Sequence, residues 1–133
     1  MFLLDTNTIS YFFRKNPQVT QKISTIKDPN TLLSCSIVAS ELLFGALQNL
    51  SKKDSLIQFY NIFFQKVEIV DYDLKAAQVF AKIKTELSLK GQLIEDFDLM
   101  IATICLTNKL TLVTNNIKYF SKIQNLKLED WTK

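Results

Sequence analysis

The sequence contains no histidine, and this absence excludes whole classes of active site. A Ser-His-Asp or Cys-His nucleophilic system and a His-ligated zinc site all need an imidazole. Two cysteines are present, Cys35 and Cys105, and both lie in apolar stretches. That setting predicts buried free thiols rather than a disulfide. Any metal site must therefore be built from oxygen ligands, which favour hard ions.

Glycine and proline are also scarce, with two of each in 133 residues. Such low counts argue against a loop-rich all-β protein and against a linker, so we expect a single domain over residues 1–133. No apolar run approaches the roughly 18 residues that cross a membrane, and the N-terminus does not read as a secretory signal. We therefore expect a cytoplasmic protein with no membrane association.

Arginine is nearly absent, since Arg14 is the only one among 16 basic residues. Bidentate phosphate recognition is correspondingly limited, although lysine point charges remain available for contacts to a nucleic-acid backbone. The net charge of +3 permits nucleic-acid binding without requiring it.

Short apolar segments alternate with longer segments of helical periodicity, and Ser51 and Asp54 suit caps before the fourth helix. Strands separated by helices require parallel crossovers, which predicts an α/β fold: a three-layer α/β/α sandwich with a short parallel sheet of four to five strands. The predicted strands are 2–4, 32–36, 67–70 and 110–113, with a last extended piece at 126–128. The predicted helices are 8–16, 19–27, 37–50, 56–65, 74–90, 96–108 and 117–120.

Acidic and amide residues recur at the ends of the predicted strands and the starts of helices. Asp5 follows the first strand, Glu41 lies one turn after the second, and Thr114 and Asn116 follow the fourth. Glu95, Asp96 and Asp98 lie at the start of the helix that leads into that fourth strand. Parallel strands bring their carboxyl ends to one edge of a sheet, where ligands bind. Carboxylates gathered there would repel unless a cation lay between them, and Mg²⁺ or Mn²⁺ held by such acids suits phosphoryl chemistry.

Each of these residues also has an ordinary structural explanation. Asp5 is a favoured helix cap, acids in the first turn of a helix suit its dipole, and Thr114 and Asn116 are common in turns. Asp98 stands closest to an apolar run and is the strongest candidate of its segment. The shared position of all these groups at one sheet edge favours a site.

Four short motifs in this order resemble the PIN-domain ribonucleases, and especially the VapC toxins of bacterial toxin–antitoxin pairs. The motifs are LLDTNTIS, SIVASELLFGA, EDFDLMIATICLTNKLTLVTNN and LEDW. The resemblance implies a PIN-like fold whose four catalytic positions fall on Asp5, Glu41, Asp98 and Asn116, the three acids being the metal ligands. Val38 departs from the pattern, since the family often has a hydroxyl residue there. Supporting roles are implied for Asn7, Thr114, Asp96 and Glu95, with Asp96 reaching a metal through water.

The resemblance further implies a Mg²⁺- or Mn²⁺-dependent endoribonuclease toxin that cleaves structured RNA, with tRNA as the expected substrate, through attack of water on a phosphodiester. It implies a VapB-like antitoxin as partner, a homodimer and a larger toxin–antitoxin assembly. The segment Tyr11–Phe13 could be core or partner surface, and the aromatic residues at 59, 60, 63 and 64 pose the same question. Five lysines could follow an RNA backbone or form a solvated face: Lys52, Lys53, Lys82, Lys84 and Lys90.

Two other functions remain open at this point. A phosphatase of the haloacid-dehalogenase type would use Asp5 as its nucleophile, although that family needs an aspartate where this chain has Asn7. A catalytically silent PIN-like interaction domain would keep the fold without the activity.

Overall fold

Five short parallel strands form the centre of the molecule, which a computed structural model describes over residues 1–133. The strand order is β3-β2-β1-β4-β5, so the first strand of the chain lies in the middle. In the register of the sheet, Leu3 of β1 lies beside Leu33 of β2 and Leu112 of β4. The strands are β1 (Phe2–Leu4), β2 (Leu32–Cys35), β3 (Glu68–Val70), β4 (Thr111–Val113) and β5 (Leu128–Glu129).

Seven helices cover the two faces of this sheet. The helices are α1 (Thr6–Phe13), α2 (Pro17–Ser24), α3 (Ser36–Gln48), α4 (Lys53–Lys66), α5 (Leu74–Leu89), α6 (Asp96–Thr107) and α7 (Ile117–Phe120). Right-handed crossovers place α1 to α4 on one face and α5 to α7 on the other. The pairs α1–α3, α3–α4 and α5–α6 pack together, and α3 also contacts α6. The predicted three-layer fold is confirmed.

Side chains cap three of the seven helices, with Asp5 at α1, Asn16 at α2 and Asp73 at α5. Asp73 accepts the backbone N–H of Ala76 and caps α5, as its position predicts. The predicted caps of the fourth helix were wrong, because α4 begins at Lys53 and has no side-chain cap. The Ser51 hydroxyl instead donates a hydrogen bond to the Asn49 side chain at 3.0 Å. Asp54 lies inside the first turn of α4.

The apolar core lies on both faces of the sheet. Leu3 and Leu4 of β1 are fully buried, as expected for a central parallel strand. Cys35 and Cys105 are buried and free, which confirms the prediction for the thiols. Burial raises the pKa of the Cys35 thiol to about 11, so it stays protonated near neutral pH. No helix combines the length and the apolar character that crossing a membrane requires.

The aromatic residues of α1 pack inward against α4. The ring centroid of Phe59 lies 5.9 Å from that of Phe12 and 5.0 Å from that of Phe13, with edge-to-face geometry in both pairs. The Tyr11 hydroxyl accepts a hydrogen bond from the Asn115 side chain at 3.1 Å. These aromatic residues are half-buried. The sequence left open whether they belong to the core or to a partner surface, and in the structure they serve mainly to pack α1 against α4.

Candidate active site

Asp5 stands where β1 ends and α1 begins. Its side-chain oxygen accepts the backbone N–H of Thr8 at 2.8 Å, and its own backbone N–H donates to the Val113 carbonyl at 3.1 Å. The Thr114 hydroxyl forms a further hydrogen bond to the carboxylate. Only 7% of Asp5 is exposed, and burial raises its pKa although these hydrogen bonds lower it. Asp5 is thus a helix cap and remains available as a site residue.

Glu41 lies in the second turn of α3 and is half-buried. The Thr6 hydroxyl donates to its Oε1 at 2.8 Å, which ties the first turn of α1 to α3. Burial raises the pKa of Glu41, the hydrogen bond from Thr6 lowers it, and the charges of Glu95 and Asp5 raise it further.

Asp98 is the third residue of α6 and is also half-buried. Burial raises its pKa to about 6, and the charges of Glu95, Glu41 and Asp5 add to the increase. The Tyr119 hydroxyl of α7 hydrogen-bonds to the Asp98 carboxylate and accepts the backbone N–H of Glu95 at 2.6 Å. One phenol therefore links the start of α6 to the acid that this helix carries.

A cavity of about 160 Å³ at the carboxyl edge of β1 and β4 brings these side chains together. Asn116 lies at the start of α7, makes no capping bond with its side chain, and donates its backbone N–H to the Thr114 hydroxyl at 3.0 Å. The lining residues are Asp5, Thr6, Asn7, Glu41, Asp98, Ile101, Thr114, Asn116 and Phe120. Six of the eight predicted site residues are among them. We call this space the carboxylate cavity.

The other two predicted residues lie outside the carboxylate cavity. The Asp96 carboxylate pairs with the Lys84 ammonium at 2.7 Å, and both side chains are about half exposed. Glu95 is exposed and acts on the site through its charge, which raises the pKa of Glu41 and Asp98.

The donor chemistry of the cavity fits a hard divalent cation. As the side chains stand, no three His, Cys, Asp or Glu groups are gathered closely enough to hold one ion. Asp5 and Glu41 each accept a hydrogen bond from within the chain. The potential ligands are all oxygens, and the pKa values of Asp5, Glu41 and Asp98 are all raised. A cation between them would offset both the burial and the mutual repulsion of these charges.

The sequence analysis missed two contacts at the carboxylate cavity, the hydrogen bond from Thr6 to Glu41 and the position of Tyr119 beside Asp98. Thr6 lies within the Asp-Thr-Asn motif, but its partner Glu41 is 35 positions away in the sequence. Tyr119 belongs to a four-residue helix with no motif of its own, and only the packing of α7 beside α6 reveals its role. No sequence pattern would have identified it.

Comparison with known proteins identifies the family of this chain. Residues 2–126 match the PIN domain family. Ribonuclease VapC2 of Rickettsia felis is 37% identical to this chain, and the alignment covers 100% of this chain and 99% of the relative. The tRNA(fMet)-specific endonuclease VapC of Salmonella typhimurium is 32% identical, with coverage of 98% and 97%.

Solved structures give the same result for the fold. A chain of VapBC2 from Rickettsia felis, bound to a DNA fragment from their promoter, superposes with a TM-score of 0.89 at 36% identity, over 98% of each chain. DNA-bound VapBC from Salmonella typhimurium gives a TM-score of 0.87 at 32% identity, over 98% of this chain and 97% of the other. The chain belongs to the PIN-domain family. The predicted resemblance to the VapC ribonucleases is confirmed.

Proposed function

We propose that this protein is the endoribonuclease toxin of a toxin–antitoxin pair and that it hydrolyses RNA with a divalent cation, Mg²⁺ or Mn²⁺. The observation that carries the proposal is the meeting of Asp5, Glu41 and Asp98 in one cavity at the carboxyl edge of the sheet. The family membership and the names of the ribonuclease relatives support the reaction class. Cleavage of cellular RNA requires the enzyme to act in the cytoplasm.

The three carboxylates would hold the cation, which polarises the phosphate and assists the attacking water and the leaving oxygen when it is bound. The side chain of Asn116 adds a neutral donor and acceptor at the same cavity. Thr114 and Thr8 hold the Asp5 carboxylate, and Thr6 holds that of Glu41. These hydrogen bonds set where the negative charges stand before RNA arrives, so less reorganisation is needed at the moment of reaction.

The substrate and the partner follow from the relatives. One relative is named as specific for tRNA(fMet), so tRNA is the substrate class to test first. Several solved neighbours are VapBC assemblies, which supports a VapB-like antitoxin as the cognate partner. Exposed apolar side chains on α3 and α4, namely Phe44, Leu47 and Ile62, offer surface for protein contacts in such an assembly or in a homodimer.

The test is cleavage of total RNA and of an initiator tRNA transcript, with Mg²⁺, with Mn²⁺ or with EDTA. We expect discrete products with either metal, none with EDTA, and none from the Asp98→Asn variant. Cleavage that continues in EDTA would overturn the metal requirement. Intact RNA under every condition would leave the silent interaction domain and the phosphatase as the alternatives.

The phosphatase alternative predicts a different outcome. It requires a phosphorylated Asp5, which intact-mass measurement after incubation with a phosphate-ester substrate would detect. Asn7 lines the cavity where that mechanism needs an acid, so we expect no phosphorylated enzyme.

A further inference from the structure

A second cavity, of about 410 Å³, lies between α1, α3 and α4 and is larger than the carboxylate cavity. Thr6 and Glu41 line both spaces, so the two cavities meet at the hydrogen bond between these residues. Its volume falls in the range of ligand-binding clefts. We call this second space the α1–α3 cleft.

The cations of the α1–α3 cleft are free to bind an anion. Arg14 and Lys52 line it and are exposed, and neither has a carboxylate partner, since the Lys84–Asp96 pair is the only salt bridge in the chain. The Arg14 guanidinium lies over the Tyr11 ring, 4.9 Å from its centroid. This contact holds the single arginine of the chain in place at the mouth of the cleft.

The lining of the α1–α3 cleft includes a glycine, Gly45, which leaves the backbone there uncovered. Gly45 lies inside helix α3, where glycine costs about 1 kcal/mol relative to alanine. A Cβ added at this position would meet nothing within 4 Å, so packing within the chain does not require glycine. Backbone that is left bare in this way allows a ligand to approach closely.

From this arrangement we infer that the α1–α3 cleft binds the sugar–phosphate backbone of the RNA nucleotide next to the cleaved phosphodiester. The inference rests on the proposed ribonuclease function. An RNA strand whose cleaved phosphate lies at the carboxylates must leave that cavity, and the cleft adjoins it at the hydrogen bond between Thr6 and Glu41. Arg14 and Lys52 supply the positive charge for a flanking phosphate there. Glu41, which belongs to both spaces, is the only acid in the lining.

A second basic cleft on the molecule makes a useful contrast. Lys82, Lys90 and Lys122 line a cavity of about 320 Å³ beside α5 and α7. This cavity shares no residue with the carboxylate cavity and includes the acid Glu86. Its larger number of basic residues would favour this cavity as the RNA-binding surface. The α1–α3 cleft is favoured instead because it adjoins the carboxylate cavity.

The first experiment measures charge. Binding of a labelled initiator tRNA transcript is followed over a range of salt concentrations, with Asp98→Asn as the uncleaving background. Arg14→Ala and Lys52→Ala should each weaken binding about five- to tenfold and reduce the slope of log K against log salt by about 0.7 to 0.9. Lys15→Ala and Lys53→Ala are matched controls, because these neighbouring lysines do not line the cleft. Equal losses in the controls would overturn the inference.

The second experiment measures space. Gly45→Met should raise the KM for tRNA cleavage about tenfold or more while leaving the melting temperature unchanged or higher, because methionine favours a helix. Gly45→Ala should have a smaller effect in the same direction. A Gly45→Met enzyme with the KM of the wild type would overturn the inference. Failure of the wild type to cleave any RNA would instead reject the proposed function itself.

Discussion

Helices α1 and α6 both bring an acid to the same cavity from their starts, but only one of these acids also supports the fold. Asp5 caps α1 through the backbone N–H of Thr8 and is almost fully buried. Asp98 caps nothing, because the N-cap of α6 is Glu95, which makes no side-chain cap bond. The amide of Glu95 is instead met by the Tyr119 hydroxyl.

The comparison shows that two acids which line the same cavity can differ in whether they also stabilise the fold. The burial of Asp5 is partly offset by hydrogen bonds that the fold needs in any case. Asp98 has the hydrogen bond from Tyr119 and three acidic neighbours, and burial together with those charges raises its pKa to about 6. Asp98 therefore lines the cavity and, when ionised, lowers the stability of the metal-free fold. Asp5 lines the same cavity and also caps a helix.

The largest effect that we expect is on activity and is the same at both positions. Asp5→Asn and Asp98→Asn each remove one carboxylate from the proposed cation site and should lower tRNA cleavage at least about 100-fold. Initial rates with Mn²⁺ measure this loss. Asp54→Asn is the control, since this exposed acid does not line the carboxylate cavity and its charge does not shift the pKa of Asp5, Glu41 or Asp98. Near-normal rates in either site variant would remove that residue from the proposed ligand set.

The next effect concerns Tyr119, which acts on Asp98 alone. Tyr119→Phe removes the hydroxyl that holds this carboxylate, and we expect an approximately tenfold loss of Mn²⁺ affinity and of cleavage rate. Calorimetric titration of Mn²⁺ measures the affinity without depending on activity. Tyr72→Phe serves as the matched control, since the Tyr72 hydroxyl makes no hydrogen bond to Asp5, Glu41 or Asp98. If Tyr119→Phe bound Mn²⁺ as the wild type does, the phenol would have no role at the site.

A smaller effect separates the two acids by stability. Asparagine at position 5 can still accept the N–H of Thr8, whereas alanine cannot, so Asp5→Ala should be about 1 kcal/mol less stable than Asp5→Asn. The same pair of substitutions at Asp98 should differ by less than about 0.5 kcal/mol, because no cap is lost. Urea unfolding in EDTA gives all four values. Equal gaps at the two positions would contradict the comparison.

The smallest effect is on the pH dependence of the metal-free protein. Because the folded pKa of Asp98 is about 6, above its ordinary value of 3.8, the native state binds the extra proton between these values. The stabilising contribution of that proton is complete below about pH 4 and is lost as the pH rises through 6.

Asp98→Asn removes this dependence. At pH 7 we expect it to be more stable than the wild type by about 1 kcal/mol after allowance for solvent screening, or about 4 °C in melting temperature. Thermal unfolding in EDTA from pH 4 to 7 measures the difference between the two proteins. A difference that stays constant over this range would contradict the assignment to Asp98.

Local chemistry let the sequence predict most of the fold and much of the cavity. The short apolar segment that ends at Asp5 is typical of a buried strand in a parallel sheet. Asp73 is a favoured N-cap residue and predicts the start of α5. Because parallel strands bring their carboxyl ends to one edge of a sheet, the sequence also predicted that Asp5, Thr114 and Asn116 lie close together.

What could not be predicted depends on contacts between distant segments. Thr6 and Glu41 meet across α1 and α3, and Tyr119 reaches Asp98 only because α7 packs beside α6. The resemblance implied that Asp96 reaches a metal through water, yet its carboxylate turns away and pairs with Lys84. Which of two neighbouring acids faces a cavity depends on the rotation of the helix on the sheet, which composition does not encode.

The position of β1 in the sheet has a consequence for synthesis. This central strand is made before its neighbour β4, which covers Thr111–Val113. A growing chain that has reached only α6 already carries the three carboxylates but lacks the strand that receives the Asp5 amide at Val113. The native sheet around Asp5 closes only after β4 has been made. The order of synthesis thus delays a complete carboxylate cavity until β4 has left the ribosome.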